Sequence, residues 1–381
     1  MRPGDRRRLR RARMAALGLS PALGTAGSPA AALAVVRRLG ALQAQDYGSG
    51  AWSLGVRSGL TLAQVEEAVR RREIVRTWPM RGTIHWVAAE DARWMARLLA
   101  GRAIASSAAR RRQLGLSDRD LELARGVFEE ELREPRSRPD VMRLLGEHGV
   151  DPTGQRGYHV VAHHCMTGQL CQGPVAGRQQ TFVLVDSWVP KPLTPTREEA
   201  MVTVVERYVR GHGPVLETDV SAWLGATLGF VREALAMLDG RLVREEVGGR
   251  SWLRHVDAAD GAHGGDLPPA SGSVGVHLLP QWDELLLGYR SRDVVLGDPD
   301  VERVVPGRNL QFRPTVVLDG EVVGTWRRRE AGGRTLVEAE LLRGLGPRRW
   351  REVERAAAAY GRFLGRDVHV RPVQAPAGRE D

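Results

Sequence analysis

Helical periodicity and short strand pairs alternate along the chain up to about residue 260. An Ala, Leu and Val run from Pro29 to about Ala44 has helical spacing, and the glycine-rich stretch after it predicts a turn. Thr61 with Gln64 predicts the capped start of a second helix, LAQVEEAVRR. EIVRTW and TIHWV predict two strands joined by a break at PMRG. Helix, helix and hairpin in this order predict a winged-helix unit over residues 1–112.

The same order of elements returns twice. Ser117, then Ser137 with Pro139, predict the starts of two helices, and a third helix and a strand follow them in RGYHVVAHHCMTG and TFVLVDSW. Three helical segments and a hairpin turning at Gly248 and Gly249 follow a proline-rich link. We therefore predict a second winged helix over residues 113–195 and a third over residues 196–260.

The composition changes after these units. DAADGAHGGDLPPASGSVG predicts a linker or surface loop. VGVHLLP, PTVVLDG and EVVGTWRRR then predict strands, with a hairpin turn at Asp319 and Gly320 and a helix near Arg348 to Leu364. Residues 261–381 are therefore predicted to be a C-terminal α+β domain with a β-hairpin, and the whole chain is predicted to be α+β.

The charge of the chain favours a phosphate-bearing partner. Lys and Arg number 56 against 46 Asp and Glu, a formal net charge of +10, and Lys191 is the only lysine. The planar fork of arginine pairs bidentately with phosphate oxygens, which favours a phosphate partner. For winged-helix units the predicted partner is double-stranded DNA. No window approaches the roughly 20 apolar residues of a membrane span. Two cysteines, Cys165 and Cys171, are too few for a disulfide framework, which favours the cytoplasm.

Several polar residues are candidates for chemistry or for DNA contact. Gln43 and Gln45 flank Ala44 at the end of a helical run, where a solvated helix end explains them as well as a functional site does. The predicted hairpin of the first unit carries three further candidates that could contact phosphate from a charged wing, or could form the wet face of an ordinary ribbon: Arg76, Arg81 and His85.

The C-terminal half supplies fewer candidates. Asp283 could support the site as a general base or could pair with Arg290. Arg327 and Arg328 could hold a backbone phosphate or end an exposed strand. His163 and His164 lie near the two cysteines, but adjacent histidines on a helix point about 100° apart and cannot both bind one ion. No metal and no cofactor are predicted. The sequence lacks the motifs of phosphate-binding loops, dinucleotide-binding domains, zinc proteases and serine hydrolases.

Five segments taken in order resemble the bacterial winged-helix DNA glycosylases of the AlkZ and YcaQ type: LGALQAQD, RTWPMRGTIHWV, RYVRGHGPVLETDVSAWLG, LLPQWDELLLGYRSRD and VVLDGEVVGTWRRR. Gln43-Ala44-Gln45 resembles the Gln-x-Gln of the AlkZ-like branch, whereas the other branch carries Gln-x-Asp. The resemblance implies that Gln43 and Gln45 are catalytic and that three tandem winged helices form a C-shaped, basic channel. The arginine-rich first 28 residues depart from the family pattern, and the tail beyond Gly365 does not align with it.

The resemblance also implies the reaction. The family excises N7-alkylated purines and unhooks interstrand crosslinks, and in antibiotic producers it gives resistance to the producer's own DNA-alkylating compound. With a single lysine, a Schiff-base lyase step is not expected, so the predicted enzyme is a monofunctional glycosylase. No protein partner is implied, and the enzyme is expected to be a monomer. The alternatives are a winged-helix transcription regulator, a catalytically inactive protein that senses damage, and an enzyme using Asp283 on a substrate other than DNA.

Overall fold

The computed structural model describes residues 1–20, 27–28, 30–257, 267–308, 311–331 and 334–373. The helices are α1 Pro3–Ala16, α2 Ala31–Leu39, α3 Tyr47–Ser58, α4 Leu62–Arg70, α5 Ala92–Leu99, α6 Gly101–Gln113, α7 Asp118–Glu131, α8 Arg138–Glu147, α9 Arg156–Met166, α10 Val185–Trp188, α11 Arg197–His212, α12 Glu217–Leu224, α13 Leu228–Ala236, α14 Glu284–Leu287, α15 Val301–Val304 and α16 Pro347–Leu364. The strands are β1 Leu42–Gln43, β2 Ile74–Met80, β3 Thr83–Ala88, β4 Arg136–Ser137, β5 Leu170–Gln172, β6 Thr181–Leu184, β7 Leu242–Val247, β8 Arg250–His255, β9 Val276–Leu279, β10 Thr315–Leu318, β11 Glu321–Ala331, β12 Arg334–Leu341 and β13 Val368–Val373. The chain is α+β, as predicted.

Local signals in the sequence placed many of these elements correctly. Thr61 and Gln64 form a reciprocal capping box at the start of α4, and Ser117 does the same with Asp120 at the start of α7. The Gly248–Gly249 hairpin joins β7 to β8, and both glycines have positive φ. These predictions are confirmed, as are the Asp319–Gly320 hairpin and the C-terminal helix α16.

The stretch after Ala44 departs from its prediction. It is the helix α3 rather than a turn, and two of its glycines serve close packing. A Cβ on Gly55 would lie 2.5 Å from the ring of Phe363 in α16. Asp46 accepts a hydrogen bond from the Ser49 amide at 2.7 Å and so caps the first turn.

One antiparallel sheet joins the predicted first and second units. Its strand order is β1-β3-β2-β5-β6-β4, and Arg76 of β2 pairs with Gln172 of β5. The two predicted wings therefore share backbone hydrogen bonds instead of standing apart. The separation into three winged helices and the C-shaped channel stay predictions.

A second sheet organises the C-terminal region in the order β13-β12-β11-β10-β9. The helix α16 packs on this sheet through a cluster of aromatic rings: Trp326 and Trp52 each lie about 5 Å from Tyr360, at 5.1 Å and 5.0 Å between centroids. Since Trp52 belongs to α3, the cluster ties the β11–β12 hairpin to the helix that follows Gln45. Nine of the 19 residues of the predicted linker, 258–266, lie outside the described residues.

The helix α1 does not stay with the unit to which the sequence assigned it. Arg13 donates to the Pro214 carbonyl at 3.1 Å, and its guanidinium lies 3.6 Å from the Tyr289 ring centroid. Arg10 reaches Glu321 at 2.7 Å. These contacts anchor α1 in the third unit and the C-terminal domain. Among the described residues, the helices are too short or too polar for any of them to cross a membrane.

Candidate active site

The Gln43-Ala44-Gln45 segment begins in β1, at the edge of the first sheet, and ends in a bend before α3. Gln43 lies opposite His85, and the Ala44 amide donates to the Ile84 carbonyl at 2.8 Å. Ala44 between the two glutamines is buried.

The two glutamines differ in what holds them. Gln45 is exposed, and its Oε1 accepts a hydrogen bond from the Ile84 amide at 3.2 Å. Gln43 is half-buried, and its Oε1 is enclosed with no hydrogen-bond partner among the described residues. A buried acceptor without a partner is costly, so this oxygen is suited to a ligand or a bound water. The pair thus combines a Gln45 amide that a backbone hydrogen bond holds with a Gln43 oxygen that has no partner among the described residues.

Arg76 lies beneath this segment. It is 3% exposed and donates to the Ala44 carbonyl at 2.7 Å. Its guanidinium lies 5.0 Å from the Tyr47 ring centroid and 5.7 Å from that of Trp86, and burial lowers its pKa to about 10. The predicted phosphate contact is not supported by this position, because the side chain faces the peptide between the glutamines.

Replacing Arg76 with methionine should distinguish a role in holding the Ala44 carbonyl from a role in contacting phosphate. Without its donor the Ala44 carbonyl is left unpaired in the protein interior, and the glutamines lose their alignment. We expect the single-turnover rate of base release to fall by about tenfold or more, with little change in affinity for undamaged DNA. A loss of affinity with a flatter salt dependence would instead indicate a phosphate contact.

Gly50 allows α3 to lie against the Gln43-Ala44-Gln45 segment. A Cβ at this position would lie 2.8 Å from both Cα and Cβ of Ala44 and 3.0 Å from Nε1 of Trp86. The substitution Gly50→Ala should therefore destabilise the fold by about 1–3 kcal/mol and slow base release. The matched control is Gly48→Ala in the same helix, where the nearest atom is an Asp46 oxygen at 3.5 Å. Urea unfolding of both variants checks this, and equal stabilities would contradict the packing argument.

Arg81 and His85 form a pair at the turn between β2 and β3. Arg81 Nη2 lies 3.0 Å from His85 Nε2, and His85 Nδ1 lies 2.9 Å from the Thr83 carbonyl. Because the guanidinium only donates, Nε2 accepts and Nδ1 carries the proton. Burial, reinforced by the charge of Arg81, lowers the pKa of His85 well below its usual value, so the imidazole is neutral.

The two members of this pair face different surroundings. Arg81 is half-buried and lines a groove of about 470 Å³ with Arg102, Ser106 and Ser221. His85 is fully buried, so the predicted contact of its own side chain with DNA is not supported. The Arg81 guanidinium is accessible from this groove, and its hydrogen bond to His85 holds the guanidinium in position.

Asp283 is a structural anchor, and its predicted pairing with Arg290 is wrong. Its two oxygens lie 2.8 Å and 2.9 Å from the two terminal nitrogens of Arg57 in α3. Ser53 and the Leu285 amide donate to the same carboxylate at 3.2 Å and 3.0 Å. Burial opposes ionisation, but Arg57 and these donors outweigh it and lower the pKa of Asp283. A carboxylate so occupied supports α3 and is poorly placed to act as a general base.

Arg327 and Arg328 lie on opposite faces of β11, and both are exposed. Arg327 pairs with Glu338 at 2.6 Å, and this carboxylate is also paired with Arg329 and Arg371. Three arginines around one glutamate leave two positive charges in excess.

Arg328 lies beside Tyr360 of α16, which belongs to the ring cluster that joins β11 to α3. Tyr360 has a raised pKa, chiefly because it is buried; the charge of Arg328 opposes the shift and that of Asp46 adds to it. Asp46 directly follows Gln45 in the sequence and caps α3.

The chain matches the model of a protein family described as DNA glycosylase AlkZ-like over residues 36–363. The chain therefore belongs to the AlkZ-like DNA glycosylase family. A relative from Streptomyces sahachiroi named an interstrand DNA cross-link repair glycosylase is 26% identical over 320 residues, which covers 77% of this chain and 81% of the relative. The structure of Streptomyces sahachiroi DNA glycosylase AlkZ matches with a TM-score of 0.77 and 24% identity, covering 96% of this chain and 99% of that one.

Membership of the AlkZ-like family confirms the resemblance drawn from the five segments. It also confirms that the chain is a DNA glycosylase, and the alternative prediction of a transcription regulator is wrong. The structural match, at this identity, shows the shared fold alone.

Three side chains of this AlkZ-like site were not predicted. Tyr47 and Trp86 pack edge to face at 5.8 Å and enclose the guanidinium of Arg76. Arg57, fully buried, holds Asp283. An aromatic residue two positions after Gln45 was a usable signal for Tyr47, but nothing near Arg57 in the sequence points to a partner 226 residues away.

The histidine and cysteine cluster serves packing in α9 and β5. His163 and His164 lie edge to face with ring centroids 5.2 Å apart, and burial lowers the pKa of each to about 4. Cys165 and Cys171 are buried free thiols. In the part of the chain that the structure describes, no group of three or more His, Cys, Asp or Glu side chains is placed to hold a metal.

Proposed function

We propose that this glycosylase hydrolyses the N-glycosidic bond of N7-alkylated purines in duplex DNA, with Gln43 and Gln45 as its catalytic residues. The observation that carries the proposal is the unpartnered oxygen of Gln43 in the same short segment as Gln45, whose oxygen the Ile84 amide holds. Gln43 ends β1 and Gln45 follows it, and Ala44 between them is held by Arg76 and Ile84.

The chemistry of the substrate explains why amides suffice. An N7-alkylguanine already carries a positive charge, so it leaves without strong acid assistance. Positive charge then develops on the deoxyribose in the transition state. Amide oxygens aimed at the sugar stabilise that charge and orient a water molecule, without the strong ground-state attraction that a carboxylate would add.

The different contacts of the two glutamines favour a different role for each. Gln43 has the unpartnered oxygen, so it supplies the acceptor for the water or the sugar. The oxygen of Gln45 is already used by Ile84, which leaves its amide nitrogen to donate to the substrate. The only lysine, Lys191, lies in an exposed link, which supports a monofunctional reaction that ends at an abasic site.

The substrates we propose include bulky adducts and interstrand crosslinks, with a role in resistance to a DNA-alkylating natural product. The name of the Streptomyces sahachiroi relative supports the crosslink part of this proposal. The enzyme would act as a monomer in the cytoplasm, where the chromosome lies. Arg81, Arg327 and Arg328 would contact backbone phosphates, so affinity should fall steeply as salt rises.

Incubation with duplexes that carry 7-methylguanine or an N7-linked crosslink tests the proposal. We expect free modified base, an abasic site and no product trapped by borohydride. An intact substrate in both reactions would contradict the proposed substrate class, and a trapped covalent adduct would contradict the monofunctional mechanism.

A further inference from the structure

A row of arginines on α1 lines a cleft that the proposed reaction does not use. Arg6, Arg7, Arg10 and Arg11 stand at the spacings that place side chains on one helix face. Across a cleft of about 630 Å³ they face Arg343, Arg348 and Arg349. The lining thus combines seven arginines with two carboxylates, Asp319 and Glu321.

Residues of α1 next to this row fix the helix in place. Leu9 is fully buried, and Arg13 is 1% exposed against Tyr289, with Asp219 at 3.9 Å. A helix anchored in this way cannot rotate its arginines away from the cleft. Their mutual repulsion is therefore built into the folded protein.

The carboxylates of the cleft neutralise only part of the charge. Glu321 pairs with Arg10 at 2.7 Å and with Arg343 at 3.0 Å, and Asp319 pairs with Arg349 at 2.8 Å. Ion pairs are not found, among the described residues, for four arginines of the lining: Arg6, Arg7, Arg11 and Arg348.

Enclosed donors are a second indication that the cleft is suited to an anion. Nε and Nη1 of Arg11 and Nε of Arg6 are enclosed without a hydrogen-bond partner among the described residues. Burial lowers the pKa of Arg10, and the neighbouring charges of Arg6 and Arg343 lower it further. An anion that accepts several hydrogen bonds would satisfy these donors and relieve the repulsion.

We propose that this cleft binds the sugar-phosphate backbone of duplex DNA outside the lesion. Arg6 and Arg11 are separated by about 7.5 Å along the helix axis. Phosphates of one strand recur every 3.4 Å along B-DNA, so the row matches about two of them. The proposal rests on the proposed function only in taking DNA as the ligand.

The position of the cleft is suited to the part of the duplex that flanks the lesion. Arg349 in the cleft and Tyr360, which packs on Trp52 of α3, both belong to α16, eleven residues apart, or about 17 Å along its axis. That length corresponds to about five base pairs. The family match begins at residue 36, so α1 lies outside it, whereas the wall of the cleft that faces α1 lies inside it.

The test replaces the four arginines without ion pairs by alanine and measures binding to an undamaged duplex by fluorescence anisotropy over a range of salt. We expect affinity to fall by about tenfold or more and the slope of log K against log salt to flatten by about 2, because about two phosphate contacts are removed. A variant with lysine at the same four positions should keep most of the slope.

The matched control removes the same charge elsewhere, from four exposed arginines for which no ion pair is found among the described residues: Arg112, Arg119, Arg133 and Arg136. An equal loss in this control, or an unchanged slope in the cleft variant with a normal melting curve, would overturn the proposal. Since binding is measured on undamaged DNA, a wild type that binds in this way but releases no base would contradict the proposed function and leave the cleft intact.

Discussion

Replacing Gln43 and Gln45 together with alanine should lower the single-turnover rate of 7-methylguanine release by about a thousandfold, with DNA binding retained. One oriented polar group at a developing charge is worth roughly a hundredfold to a thousandfold in rate. The unpartnered Gln43 oxygen is the group best suited to this role. The Gln45 side chain is held in the same segment by its hydrogen bond from the Ile84 amide. The measurement is base release with enzyme in excess over alkylated duplex.

The control for this prediction removes two other exposed glutamines. Gln113 and Gln155 accept hydrogen bonds from Arg110 on the surface of α6 and α9, remote in sequence from the β1 segment. Their double alanine variant should release base at the wild-type rate. Should the Gln43→Ala, Gln45→Ala variant stay within about tenfold of wild type while binding normally, another group must stabilise the transition state.

Elements with local signals were predictable from the sequence. The capping boxes at Thr61 and Ser117 and the paired glycines at the β7–β8 turn depend on residues within three or four positions of one another. The helix α3 was not predictable in the same way. Gly50 and Gly55 weaken a helix by intrinsic propensity, and they are there because Ala44 and Phe363 approach from elsewhere in the chain.

The site shows the same division between local and distant causes. In β2 every residue is buried, because helices and neighbouring strands cover both faces, so the rule that alternate residues face solvent fails for Arg76. The pattern of the chain also left Gln43 and Gln45 as an ordinary helix end, and only the ordered set of five segments singled them out. The burial of His85 and the partner of Asp283 required the fold.

Breaking the Arg57–Asp283 pair should cause the largest loss of stability. Both side chains are almost fully buried, at 0% and 3% exposed, and the contact is bidentate. Arg57→Met leaves a buried carboxylate without its counter-charge and should lower the free energy of unfolding by about 3–5 kcal/mol. Urea unfolding at neutral pH measures the loss. A cost below about 1 kcal/mol would show that the pair is solvated in practice.

A double variant and the pH dependence separate the charge from the packing. Arg57→Met with Asp283→Asn removes both charges, so it should recover a large part of the single variant's loss of stability.

The pKa of Asp283 is lowered in the folded protein. The contribution of Asp283 to stability is therefore complete above the pKa of the unfolded carboxyl, about 4, and disappears as pH falls through the pKa of the folded protein. The difference in stability between wild type and Asp283→Asn should therefore shrink below about pH 4, where the unfolded carboxyl takes up its proton. Because this pair joins α3 to the segment before α14, and α3 begins directly after Asp46, the folded fraction of these variants should also release base more slowly. A difference in stability that stays constant with pH would assign the loss to the hydrogen bonds from Ser53 and Leu285 instead of the charge.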